Sequence, residues 1–208
     1  MPTNERGSRR EFLQRALATG MLGAIPFRRA QALPRGQVPQ VLSGTEFALE
    51  IAEQSVHVLG GDVPATMING TVPGPQLRLR EGDTVTLRVT NRLRVPTSIH
   101  WHGLLVPAEM DGVPGLSFPG IAPGATFVYR FPVRQYGTYW YHAHTRFQEQ
   151  TGTYGSIVIE RRGGERATAD REYVVVLSDW SQEDPERVFD KLKVASDFFN
   201  FNQPTVPD

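Results

Sequence analysis

From Thr45 onward the apolar residues of this chain recur at every second position, not every third or fourth. Phe47, Leu49 and Ile51 alternate with Ala48, Glu50 and Ala52. Leu77 and Leu79 alternate with Arg78 and Arg80, and Val85, Leu87 and Val89 with Thr84, Thr86, Arg88 and Thr90. Side chains of a strand point to opposite faces in turn, so this pattern reads as strands with one face in a core. Met67-Ile68-Asn69-Gly70 ends another extended piece. Further extended stretches cover 98–106, 126–133, 137–144 and 155–160. Turn signals separate them at Pro73-Gly74-Pro75, Glu81-Gly82-Asp83, Phe118-Pro119-Gly120 and Ala122-Pro123-Gly124. The 20 glycines and 16 prolines among 208 residues suit such a turn-dense chain. The expectation is an all-β domain over 45–161, an antiparallel β-sandwich with Greek-key links.

The flanks read differently. Ser8-Arg9-Arg10-Glu11-Phe12-Leu13 resembles a twin-arginine export signal. The apolar run from Ala16 to Phe27 that follows is shorter than the roughly 20 residues a bilayer span requires, so no stable membrane span is expected. Ala30-Gln31-Ala32 offers a small-x-small cleavage site. Residues 1–32 are therefore expected to be a signal peptide read by the twin-arginine translocase, which exports folded proteins to the periplasm. Residues 33–44 read as a linker. After the polar stretch 162–170, Tyr173-Val174-Val175-Val176-Leu177 reads as a buried strand, and a short helix is expected around Arg187 to Lys193. Residues 162–208 thus read as a linker and the beginning of a second, incomplete domain, and the chain as a fragment.

Composition removes several functions. Lys and Arg number 22 and Asp and Glu 22, with no basic face, which argues against nucleic-acid binding. There is no cysteine. That excludes disulfides, iron–sulfur clusters, Cys-ligated zinc and a blue copper centre built within the chain, which needs a thiolate.

Four of the five histidines fall in two His-x-His pairs, His100/His102 and His142/His144. On a strand, residues i and i+2 share a face, which sets each pair of imidazoles about 6.5–7 Å apart along the backbone. Trp101 then points to the opposite face, toward the core. Two such pairs on neighbouring strands present four neutral nitrogens to one volume. Imidazole suits copper, zinc, iron and nickel, so spacing alone defines a late first-row metal site and not its metal. A cupin site would want a glutamate a few residues after the first pair, and the nearest is Glu109. His57 has no such partner and reads as a surface residue.

Around these residues the chain resembles a multicopper oxidase, and within that family the periplasmic copper-resistance oxidases. The segments 98–103 and 137–144 resemble the first two of the family's four copper motifs. Met110-Asp111-Gly112-Val113-Pro114-Gly115, Phe118-Pro119-Gly120-Ile121, Gln148-Glu149-Gln150 and Ser178-Asp179-Trp180 are similar as well. The resemblance implies a cupredoxin-type sandwich and a second cupredoxin-like domain begun after it. It implies that His100 ligates a type 2 copper, His102 and His142 one copper of a type 3 pair, and His144 the other. It implies that Asp111 helps supply protons for oxygen reduction. Trp101, Trp140 and Tyr141 are expected to pack in the core rather than carry electrons.

The same resemblance implies an intact enzyme that couples oxidation of copper(I) or a phenol to reduction of oxygen to water. Its other two motifs, with four more cluster histidines and the type 1 copper ligands, have no counterpart in this sequence. The chain alone is therefore expected not to oxidise substrates by that route. Two alternatives stay open: a non-enzymatic periplasmic copper-binding module, and a half-site subunit completed by a second chain carrying the missing motifs.

Overall fold

A computed structural model describes residues 39–58, 60–164 and 169–200. The expected signal peptide and the last eight residues lie outside the described residues. The described residues form nine strands: β1 (Val41–Ser43), β2 (Glu46–Val58), β3 (Gly61–Ile68), β4 (Gln76–Arg80), β5 (Thr84–Asn91), β6 (His100–His102), β7 (Thr126–Pro132), β8 (Gly137–His142) and β9 (Tyr154–Glu160). A helix, α1 (Pro185–Val194), follows. No helix among the described residues is long and apolar enough to cross a membrane.

The strands form two sheets, one ordered β1-β4-β9-β8-β6 and the other β3-β2-β5-β7. The alternation that defined the strands also defines the core between the sheets. Phe47, Leu49 and Ile51 of β2, Leu77 and Leu79 of β4, and Val85, Leu87 and Val89 of β5 are buried in one cluster with Ile157 and Ile159 of β9. Trp101 lies at its centre, 1% exposed. The rings of Tyr129, Phe131 and Tyr141 surround it at centroid distances of 5.1, 5.7 and 6.0 Å. Such aromatic contacts add about 0.5–1.5 kcal/mol each beyond the area they bury.

Three features differ from the expectation. The sheets are mixed: β1 with β4, β4 with β9 and β2 with β5 pair in parallel. Most successive strands change sheet, so these three pairs join separate parts of the chain, and no hairpin forces them antiparallel as one does β2 with β3. Second, the segment read as a linker contains β1, which pairs with β4 through Val41, Leu42 and Ser43. Third, Tyr173 to Leu177 is not a buried strand. Tyr173 is 75% and Leu177 90% exposed, and no described strand hydrogen-bonds to the run. Apolar residues alone do not make a strand; the ladder partner is required as well.

The residues around that run are nevertheless tied to the sandwich. Glu172 reaches Arg78 of β4 at 3.4 Å, and the Tyr154 hydroxyl donates to Ser178 Oγ at 2.8 Å. Trp180 packs against the small cluster of Val56, Ala65 and Met67. The expected helix forms as α1. Its N-cap is Asp184, whose carboxylate accepts from the backbone N–H of Glu186 at 2.9 Å, and Pro185 sits in its first turn. Phe189 of α1 meets Phe147 at 5.2 Å, and Glu186 pairs with Arg146.

Candidate metal centre

β6 and β8 are antiparallel neighbours, with His100 opposite His142, Trp101 opposite Tyr141 and His102 opposite Trp140. This register decides the site. It puts Trp101 and Tyr141 together on the core face and the histidines together on the other. β6 is the edge strand of its sheet.

Nitrogens of His100, His102 and His142 all lie within 4.8 Å of one another. His102 Nδ1 and His142 Nε2 are 3.1 Å apart. His144 lies just past the end of β8. Its ring centroid is 5.3 Å from that of His100 and 5.6 Å from that of His142, so it borders the triad without being one of the three. Its backbone N–H donates to Ser98 Oγ at 3.0 Å, which fixes the chain where it leaves the strand.

Two of the histidines are oriented from behind. His100 Nδ1 lies 2.8 Å from the backbone carbonyl of Asp111 and 3.3 Å from its carboxylate. His142 Nδ1 lies 2.6 Å from Glu149 Oε2 and 3.0 Å from the Ala143 carbonyl. A ring that donates from Nδ1 keeps the lone pair of Nε2 for a metal. The Asp111 carbonyl reaches His100 because Gly112 lets the loop close. Gly112 has φ +73°, and a Cβ there would collide with the carbonyl oxygen of Ile99.

Burial holds the imidazole of His142 below its ordinary pKa. The Glu149 carboxylate and the Ala143 carbonyl oppose this, and positive charge on His100 or His102 adds to it. The net effect favours the neutral ring, the form that binds metal. An all-imidazole donor set with two rings held for Nε2 ligation fits copper, and it also fits zinc, iron or nickel.

Of the residues singled out from sequence, the four histidines and Asp111 gather here, while His57 does not. His57 is exposed on the β2–β3 hairpin, as read, but it does have a partner in Asp62, at 2.8 Å. Trp101 and Tyr141 pack in the core as expected. Trp140 does not. It lies flat on His142, with centroids 4.1 Å apart and planes 14° apart. Its place two residues before His142 puts it on the histidine face, a signal present in the spacing itself. Glu149 had shown only as part of a family-like tripeptide. Its contact with His142 comes from the fold of the loop after His144, which no periodicity encodes. A cavity of about 440 Å³ opens beside Trp140 and Glu149, toward Tyr154 and Asp179.

Residues 50–164 match the family model described as multicopper oxidase. The chain therefore belongs to the multicopper oxidase family. Among its relatives, the copper resistance protein A homolog of Pseudomonas syringae pv. tomato is 56% identical over 210 residues, which is 100% of this chain and 35% of that protein. Copper resistance protein A of Escherichia coli is 52% identical over 204 residues, 96% of this chain and 33% of that one. The chain thus spans about a third of the length of these relatives. Among solved structures, a laccase from Botrytis aclada aligns with a TM-score of 0.60 at 33% identity, over 76% of this chain and 30% of that one. A multi-copper oxidase from Pseudomonas thermotolerans aligns with a TM-score of 0.55 at 38% identity, over 59% and 31%. These neighbours identify the two-sheet sandwich as cupredoxin-like.

Proposed function

We propose that this chain contributes histidine ligands to the oxygen-reducing copper cluster of a copper-resistance multicopper oxidase. The observation that carries this reading is the convergence of His102 Nδ1 and His142 Nε2, 3.1 Å apart, with His100 completing a tight triad. In this reading His100 serves the type 2 copper, His102 and His142 share one type 3 copper, and His144 serves the other. When bound, copper supplies the one-electron redox chemistry by which such an enzyme reduces oxygen to water. The chain's own residues orient and protonate. The Asp111 carbonyl and Glu149 hold two rings, and the Asp111 carboxylate, one-third exposed, stands beside His100 where it can relay protons.

The intact enzyme would draw its electrons from copper(I) or a phenol. The twin-arginine-like segment supports a periplasmic location. A second reading is a copper-binding half-site, either without oxidase activity or completed by another chain. It is favoured by one observation: the nitrogens of His100, His102 and His142 converge within this one sandwich, so the chain by itself offers three donors to an ion. Both readings require copper on the histidines. Calorimetric titration of the full chain with copper(II) should give saturable binding that is lost in the His102→Ala/His142→Ala double variant. Absence of binding, or binding unchanged in that variant, refutes both. Oxidation of a phenol by the copper-loaded chain alone would exclude the half-site reading.

A further inference from the structure

His142 is enclosed on three sides. Trp140 covers one ring face at 4.1 Å, Glu149 meets Nδ1 at 2.6 Å, and Nε2 points at His102. The loop that brings Glu149 there is itself anchored. Its neighbour Gln148 is buried, accepting from Thr97 Oγ1 at 2.6 Å and donating to the Pro96 carbonyl at 2.8 Å. The Glu149 carbonyl accepts from Gly152 N at 3.1 Å, and the Gln148 carbonyl accepts from Thr153 N at 2.9 Å. On the outer side, Phe147 packs on Phe189 and Arg146 pairs with Glu186, both of α1. Glu149 is therefore delivered to His142 by a fixed loop clamped between the sandwich and the helix.

We propose that Glu149 is a positioning residue of the metal centre. Its carboxylate accepts the Nδ1–H of His142, fixes that tautomer and ring orientation, and so presents Nε2 to the ion. This rests on the copper reading above and goes beyond it by assigning the residue that prepares a particular ligand. Asp111 does the equivalent for His100 chiefly through its backbone carbonyl, which no side-chain substitution removes. At His142 the backbone carbonyl of Ala143 is the longer contact and the carboxylate the shorter. His142 should accordingly be the ligand whose preparation depends on a replaceable side chain.

The test uses the full chain and three variants. Glu149→Ala leaves only the Ala143 carbonyl. Glu149→Gln keeps an oxygen acceptor of the same length. Glu149→Ser is polar but too short to reach Nδ1, and it replaces the alanine variant if that fails to fold. In the metal-free chain, ¹⁵N chemical shifts of His142 should report a protonated Nδ1 and a bare Nε2. The alanine or serine variant should shift population to the other tautomer, and the glutamine variant should restore it. Copper(II) affinity should fall about 10- to 100-fold in the alanine or serine variant and return to within a few-fold with glutamine. Unchanged shifts and unchanged affinity in the short variants would overturn the proposal. If the parent chain binds no copper yet the shifts move as described, the copper reading fails and the tautomer role of Glu149 stands.

Discussion

His142 is buried, whereas His102 and His144 are exposed, and its surroundings keep it neutral mainly by excluding water. The sign of the pH effect follows. An imidazole in the unfolded chain takes up a proton near pH 6.5, but the folded chain resists doing so at His142. The unfolded state then binds more protons, so stability is fully present above about pH 6.5 and is lost as the pH falls below it. Melting temperatures of the metal-free chain should decline through that window, and a His142→Gln variant should decline less steeply. Equal slopes would show that burial at His142 does not govern the effect. Gly112 is the other residue with a sharp expectation. Gly112→Ala places a Cβ against the Ile99 carbonyl in a left-handed backbone, where handedness alone costs roughly 1–2 kcal/mol. Urea unfolding should show at least that loss, together with weaker metal binding, because the Asp111 carbonyl behind His100 moves with the loop.

At the scale of elements, β6 puts one residue in the core and two on the imidazole face. Trp101→Ala removes the ring at the centre of the aromatic cluster and should destabilise the chain by about 3–5 kcal/mol in urea. On α1, Asp184→Ala removes the N-cap and should cost about 1 kcal/mol of local stability, read as faster amide exchange in α1 and in the loop of Phe147 and Glu149 it supports. The elements also show what a sequence can reveal. Alternation around Leu49, Leu77 and Leu87 announced strands and their buried faces, because period two is a local property. The parallel pairing of β2 with β5 was invisible, because it joins residues about 40 positions apart through a change of sheet. The three-residue β1 is too short to show a period. The apolar run at Tyr173 had the composition of a strand but pairs with no strand among the described residues. At the site, the His-x-His spacing exposed four ligand candidates and the one-sided placement of Trp101. The Glu149 contact depended on a loop conformation that the spacing does not determine.

At the scale of the whole molecule, the sandwich sets an antiparallel pair at its edge with a hydrophobic face inward and an imidazole face outward. The core that Trp101 and Tyr141 complete is therefore the same device that holds His100, His102 and His142 in register. The chain covers about a third of the copper resistance relatives it matches, and copper binding at its histidines is the proposal that it can be asked to show alone. Copper K-edge X-ray absorption of the full chain loaded with one equivalent of copper(II) puts that question most directly. Imidazole nitrogen should dominate the shell, with the outer-shell scattering that rigid rings produce and no sulfur, and the His102→Ala/His142→Ala variant should exchange imidazole nitrogen for oxygen. An oxygen-dominated shell in the parent chain, or an imidazole shell undiminished by the double substitution, would contradict copper ligation by these histidines.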